Sequence, residues 1–232
     1  MESSLGFVHK GNARFSSLKH FSDVLPQVTP STGTDSFSGS SLGPTWEWNH
    51  NPDTTKFTVS NGLTLRTATV TVDLYAARNT LTKRIHGPVG TGTLVMDFTN
   101  MADGDRAGLV AFRHVSAWIG IKRDGSAYTI GMTNGITQSE SDWSTTNTGT
   151  TVSSVTITQK KVWLRVVANI APNSSRTAVF SYSLDGNSFT TLGPSFALNT
   201  DWQYFMGYRY GIFNYATKAT GGSVLISSFT SS

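Results

Sequence analysis

Lys160-Lys161-Val162-Trp163-Leu164-Arg165-Val166-Val167-Ala168-Asn169-Ile170 is the stretch that decides the fold. Val162, Leu164 and Val166 share one parity and Lys161, Trp163 and Arg165 the other, which is the two-residue period of a half-buried strand and not the 3.6-residue period of a helix. Leu94-Val95-Met96-Asp97-Phe98 repeats the pattern, with Leu94, Met96 and Phe98 directed inward and Asp97 away. Outward from these runs, short alternating segments recur at intervals of about ten residues and are bounded by turn residues. Asp124-Gly125 and Asp185-Gly186-Asn187 end two of them with residues suited to the positive-φ positions of tight hairpins. No segment of about a dozen residues sustains helical periodicity. The expectation is an all-β chain with about a dozen strands in two packed antiparallel sheets, a β-sandwich.

The chain has 232 residues, enough for one large all-β domain with a sizeable core. Residues 1–34 are irregular, carry Pro26 and Pro30, and close on Pro30-Ser31-Thr32-Gly33-Thr34, so they read as a linker or N-terminal extension. The sandwich is expected over residues 35–232, with the final run Gly222 to Phe229 beside a first strand around Phe37.

Only 14% of residues are charged, so the surface must be built from hydroxyls, amides and backbone, as in extracellular proteins that face sugars. The 18 basic and 14 acidic residues are scattered, and without a basic stripe or a helix to enter a groove no nucleic acid is expected as partner. The absence of cysteine excludes disulfides, thiol catalysis and thiolate metal sites. No run approaches the roughly 18 apolar residues of a membrane helix, so no membrane is expected. The N-terminus MESSLGFVHKGNARF lacks the apolar run of a signal peptide; with a secreted location expected, an export signal has been removed or the chain is a piece of a longer one.

Four segments follow one another in order. They are Asp35-Ser36-Phe37 with Leu42 to Asp53 (LGPTWEWNHNPD); Ala77 to Arg84 (ARNTLTKR) with Gly87-Pro88; Asn100 to Leu109 (NMADGDRAGL); and Arg209 to Lys218 (RYGIFNYATK). Together they resemble the C-terminal concanavalin-like β-sandwich of family-43 glycoside hydrolases of the β-xylosidase and arabinofuranosidase type, over essentially all of residues 35 to 232. The resemblance implies a concanavalin- or jelly-roll-like sandwich acting as a non-catalytic accessory module. Such a module binds plant cell-wall polysaccharide of the xylan or arabinoxylan type, or shapes the cleft of a partner domain. Members of that family carry the catalytic carboxylates on a β-propeller ahead of the sandwich, and a propeller does not fit into residues 1–34. No catalytic residue is therefore assigned, and a family-43 catalytic propeller is the candidate partner.

A sugar ring offers an apolar C–H face and a rim of hydroxyls, so its sites combine aromatic platforms with planar amide, carboxylate or guanidinium groups. Trp46, Trp48, Asn49, His50, Asn51 and Asp53 supply these types within one segment; the competing reading makes a Trp core and Asn51-Pro52-Asp53 a turn. Arg78, Asn79 and Arg84 stand in a charge-poor stretch, either for vicinal hydroxyls or, for Arg84, for an ion pair with Asp53 or Asp97. Between Tyr208 and Tyr215, the set Arg209, Phe213 and Tyr215 and the set Tyr208, Tyr210, Ile212 and Asn214 occupy opposite faces, and parity does not say which is buried. Trp118, Trp143, Trp163 and Trp202 could also be platforms, but core packing is the leading reading for each, with Trp143 the least core-like because it sits in the polar loop QSESDWSTTNTG.

Asn100 to Asp105 suggests calcium through its Asp-Gly-Asp bend but lacks the remaining ligands of an EF-hand, so a turn capped by its own carboxylates is the simpler reading. No cofactor or metal ligand set is assigned, and a structural calcium elsewhere in the sandwich stays open. Two alternatives to sugar binding are an interdomain docking sandwich without its own ligand and a β-sandwich lyase. The lyase would draw on His50, His86 or His114 with Tyr208 or Tyr210.

Overall fold

The computed structural model describes residues 31–202 and 206–232, so residues 1–30 of the expected extension lie outside the described residues. In chain order the strands open with β1 (Gly33–Asp35), β2 (Trp46–Trp48), β3 (Phe57–Val59), β4 (Leu63–Arg66), β5 (Leu81–Arg84) and β6 (Val89–Asp97). The long hairpin strands follow: β7 (Asp105–Phe112), β8 (Val115–Asp124), β9 (Ala127–Gln138) and β10 (Thr145–Ile157). The chain closes with β11 (Lys161–Asn169), β12 (Thr177–Ser183), β13 (Thr190–Thr191), β14 (Phe196–Ala197), β15 (Arg209–Ala216) and β16 (Ser223–Ser231). Short 3-10 turns at Thr54–Lys56 and Leu74–Ala76 are the described helical pieces.

These strands form two sheets. One has nine strands in the order β13-β12-β11-β6-β16-β4-β3, with β1 also on β16 and β14 also on β12. The other has seven, in the order β10-β9-β8-β7-β15-β5-β2. The alternation in the sequence sets the register: Val162 opposes Met96 and Leu164 opposes Leu94 across β11 and β6, and all four are fully buried. β16 runs antiparallel to β1, with Gly33 opposite Ser231 and Asp35 opposite Phe229. The first strand thus begins ahead of Asp35, and Phe37 lies just past it at a φ of 52°, its ring 5.4 Å from that of Trp46.

The two Asp-Gly turns differ. Asp124 pairs with Ala127, so Gly125 (φ 61°) and Ser126 make a two-residue hairpin with glycine first, the arrangement of a type II′ turn. Asp185 instead organises a wider loop, its Oδ1 accepting from the backbone N–H groups of Asn187 and Ser188 and from the Ser183 hydroxyl. These bonds favour the ionised form and pull its pKa down to about 2.

The seven-stranded sheet is covered on both faces, which decides where a site can be. Its inner face carries Leu109, Ile119, Ile121, Ile130, Met132, Tyr210 and Ile212 into the main core against the nine-stranded sheet. Gly90 and Gly92 of β6 leave room for Tyr210: a Cβ on Gly92 would stand 2.7 Å from the ring. On the outer face, Phe213 and Tyr215 pack with Val110, Phe112, Trp118 and Ile136 in a second apolar cluster, roofed by Leu74, Tyr75 and Ala77. The Phe213 ring meets Trp118 edge-on at 5.3 Å and stacks on Tyr215 at 5.8 Å. The roof is fastened locally. Asp73 caps its turn by accepting from the Tyr75 N–H (2.9 Å), and the Tyr75 hydroxyl donates to the Arg113 carbonyl (2.8 Å). Burying each such ring is worth about 1.5–3 kcal/mol.

Candidate functional site

The roof stops short of the Arg209 end of β15, and there the outer face opens into a pocket of about 880 Å³. Arg209, Arg84, Ile85 and Phe112 come from the sheet and its strand ends. The walls are Asn49 and His50 after β2, Tyr75 of the roof, Gln138 and Trp143 from the β9–β10 connection, and Met206, Gly207 and Tyr208 ahead of β15.

Register explains the charged floor. Arg209 opposes Arg84 across β15 and β5, and Thr82 opposes Glu47 across β5 and β2, so these side chains share the outer face. Arg209 Nη1 donates to Glu47 Oε2 (2.5 Å) and to the Thr82 hydroxyl (3.3 Å), while Arg84 Nη2 stands 3.6 Å from Glu47 Oε1. The bond from Arg209, with the charges of both arginines, holds the Glu47 carboxyl below the usual carboxylate range. Glu47 is therefore an ionised acceptor at neutral pH, and Arg84, whose side chain is 71% exposed, keeps donors free for solvent or ligand.

The wall loop is held by its own polar groups. Ser139 N–H donates to the Ser144 carbonyl, Trp143 N–H to the Ser139 carbonyl, and Gln138 Nε2 to the Trp143 carbonyl. This fixes Trp143 at a φ of 58°, uncommon for a bulky side chain, with its ring partly exposed over the pocket. Opposite it, Tyr208 donates from its hydroxyl to the Val115 carbonyl and accepts from the Asn199 N–H; burial pushes its pKa up to about 12. Tyr210 sits in the main core with its phenol pushed up by burial. Both phenols therefore stay protonated near neutral pH. His50 donates through Nε2 to the Tyr75 carbonyl (2.6 Å), and His114 is buried beside Trp143.

Of the residues singled out from the sequence, Asn49, His50, Arg84 and Arg209 meet at this pocket. Trp46 and Trp48 do share a face, but it is the inner one: Trp46 is buried against Phe37 and Phe229 and donates to Asp35, and Trp48 packs on Phe57. Asn51, Asp53, Arg78 and Asn79 form a separate corner. Asn79 is buried and exchanges bonds with the Asp53 backbone, Asp53 caps the turn at Thr55, and Arg78 Nε donates to the Asn51 carbonyl. Phe213 and Tyr215 belong to the second cluster, so their rings are closed to a ligand. Asn214 points the other way and donates to the Leu65 carbonyl of the facing sheet (2.8 Å). Arg84 pairs with Glu47 and not with Asp53 or Asp97. In the Asp-Gly-Asp bend, Asp103 is taken by Lys218 and the Gly125 N–H, and Asp105 Oδ2 by the Ala102 N–H, the capped-turn arrangement.

Sequence reasoning missed Glu47 as the partner of Arg209 and Arg84, and the signal was there: alternation between Trp46 and Trp48 puts Glu47 on the opposite face. It also missed Gln138, Met206 and Tyr75, and that His114, named above only for the lyase reading, meets Glu140 and Asp201, with the donor atoms of the three within 4.8 Å of one another. Those contacts join segments far apart in the chain. Among the described residues no helix is long and apolar enough to cross a membrane.

Residues 34–231 match the family described as the beta xylosidase C-terminal Concanavalin A-like domain. The chain belongs to this family. A β-xylosidase of Formosa agariphila is 28% identical over 235 residues, covering 90% of this chain and 36% of the relative. Among solved structures, a family-43 glycoside hydrolase engineered to display both endo-xylanase and exo-arabinofuranosidase activity is 46% identical. It superposes with a TM-score of 0.86 over 89% of this chain and 41% of its own. A bifunctional GH43-CE protein of Bacteroides eggerthii is 32% identical with a TM-score of 0.78, over 86% of this chain and 25% of its own. The C-terminal concanavalin-like domain thus corresponds to less than half the length of each of these relatives.

Proposed function

We propose that this C-terminal sandwich is a non-catalytic accessory domain of a secreted family-43-type glycosidase, and that it binds a xylan- or arabinoxylan-type chain in the pocket at the Arg209 end of the seven-stranded sheet. The carrying observation is the convergence there of an aromatic ring held at positive φ, Trp143, with the planar polar groups of Asn49, Gln138 and Arg84 around a concavity of about 880 Å³, with Glu47 paired to Arg84 behind it. An indole covers the C–H face of a pyranose, a guanidinium bridges adjacent hydroxyls, and an ionised carboxylate accepts from them. A strained backbone position in an exposed loop is often tied to function, and here it aims the ring. Insoluble arabinoxylan is expected to deplete the protein from solution while an unrelated β-sandwich of similar charge stays behind. Trp143→Ala should abolish the depletion with the circular dichroism spectrum unchanged. Retention in solution on every wall polysaccharide tried would remove the proposal.

The partial coverage of the relatives favours a second reading, in which the sandwich packs against a catalytic propeller. A family-43 propeller mixed with this chain should then gain stability or activity. No complex at micromolar concentration would count against it.

A further inference from the structure

The geometry points to a divalent transition-metal site made by His114 Nε2, Glu140 and Asp201 behind the Trp143 ring that lines the pocket, where the cation ties two loops together. Its ligands come from three separated segments. His114 lies in the turn between β7 and β8, Glu140 in the connection between β9 and β10, and Asp201 in the segment ahead of β15.

His114 Nε2 stands 3.5 Å from Glu140 Oε1 and 4.0 Å from Asp201 Oδ2. The imidazole already interacts with both carboxylates at these separations, which are longer than the about 2.7–2.9 Å of a close charge-assisted hydrogen bond. Around zinc, with bonds of about 2.0–2.1 Å, tetrahedral ligands stand about 3.4 Å apart, so the imidazole–carboxylate separations are already close to that spacing and the carboxylates, within 4.8 Å of each other, must draw together. The Glu140 and Asp201 side chains are 41% and 47% exposed and can make that movement, whereas His114 is buried and fixed, with the Trp143 ring edge-on at 6.3 Å.

The chemistry agrees. One imidazole with two carboxylates suits zinc or manganese better than calcium, which prefers oxygen ligands alone. Arg113 opposes a cation through its charge, but its donors are committed to the carbonyls of Asn199, Asp201 and Met206 and to Asn199 Oδ1. The two carboxylates bring two negative charges against its one positive. Asp201 Oδ2 accepts from Asn199 Nδ2 (2.6 Å), which holds that oxygen on the His114 side and leaves it a lone pair. Three protein ligands leave a coordination position for water. The site would fix the Trp143 loop, but its existence does not depend on sugar binding.

Calorimetric titration of the full chain with zinc chloride at neutral pH tests it, beside Glu140→Gln and Asp201→Asn. Both substitutions are at exposed side chains, and folding is checked by circular dichroism. The expected result is saturable uptake of one zinc per chain at that site, at least tenfold weaker in each variant, with calcium chloride binding much more weakly than zinc. No saturable uptake, a weakening below tenfold in either variant, or calcium binding as tight as zinc would overturn the proposal. Zinc held by other histidines would appear as affinity that survives both substitutions.

Discussion

Toward Ala216 the outer face of β15 is roofed: Phe213 and Tyr215 lie under Leu74, Tyr75 and Ala77 in a buried apolar cluster. Toward Arg209 the same strand face is open, its floor is an ion pair with Glu47, and the aromatic ring above it arrives on a loop. Both halves have the side-chain types that bind sugars, and they differ in what covers them. An aromatic on a strand face is available to a ligand only where no other segment has folded across it. In this sandwich the segment between β4 and β5 does so over one half and not the other.

Substitutions should separate the halves cleanly. Phe213→Ala, in the roofed half, is expected to cost about 3–5 kcal/mol of unfolding free energy, measured by denaturant titration. A stable variant that had lost arabinoxylan binding would instead make the roofed half a site. Trp143→Ala, in the open half, should weaken arabinoxylan binding at least tenfold in depletion assays, and stability should change by no more than about 0.5 kcal/mol.

The floor of the open half gives a smaller effect with a definite pH dependence. The Glu47 pKa is lower in the folded protein than the ordinary 4.5, so its contribution to stability is complete above that pH and is lost as pH falls through the folded value. The side chain is half exposed, which limits the contribution to below about 1 kcal/mol. Thermal melts of the wild type and Glu47→Gln should therefore differ at neutral pH and converge in acid. A gap that widened as pH fell would contradict the ionised pair. Smallest of all, Arg78→Ala alters a corner outside both halves and should leave arabinoxylan binding within twofold.

The sandwich was legible because burial follows the two-residue period in β6 and β11 closely enough to fix their register. The site was legible only in part. Parity correctly grouped Trp46 with Trp48 and separated the two sets in β15, but it carries no label for which face meets the other sheet. For β2 the residue that joins the outer-face arginines proved to be the one between the tryptophans. For β15 both faces are apolar because two different cores meet the strand, and the second depends on contact between residues near 75 and residues near 213. Asn51, Asp53 and Asn79 looked like a ligand-binding set because the groups that satisfy a turn are those that bind a hydroxyl. Trp143 stood out because a polar loop gives an indole no local reason to be buried.

The contrast between the halves can be read in one spectrum. The chain has six tryptophans, each with an indole N–H signal in a nitrogen-15 correlation spectrum. On titration with an arabinoxylan oligosaccharide, the Trp143 signal should shift and saturate while those of Trp46, Trp48 and Trp118 stay in place. A shift confined to Trp163 on the other sheet, or no shift at any indole, would contradict a binding site in the open half.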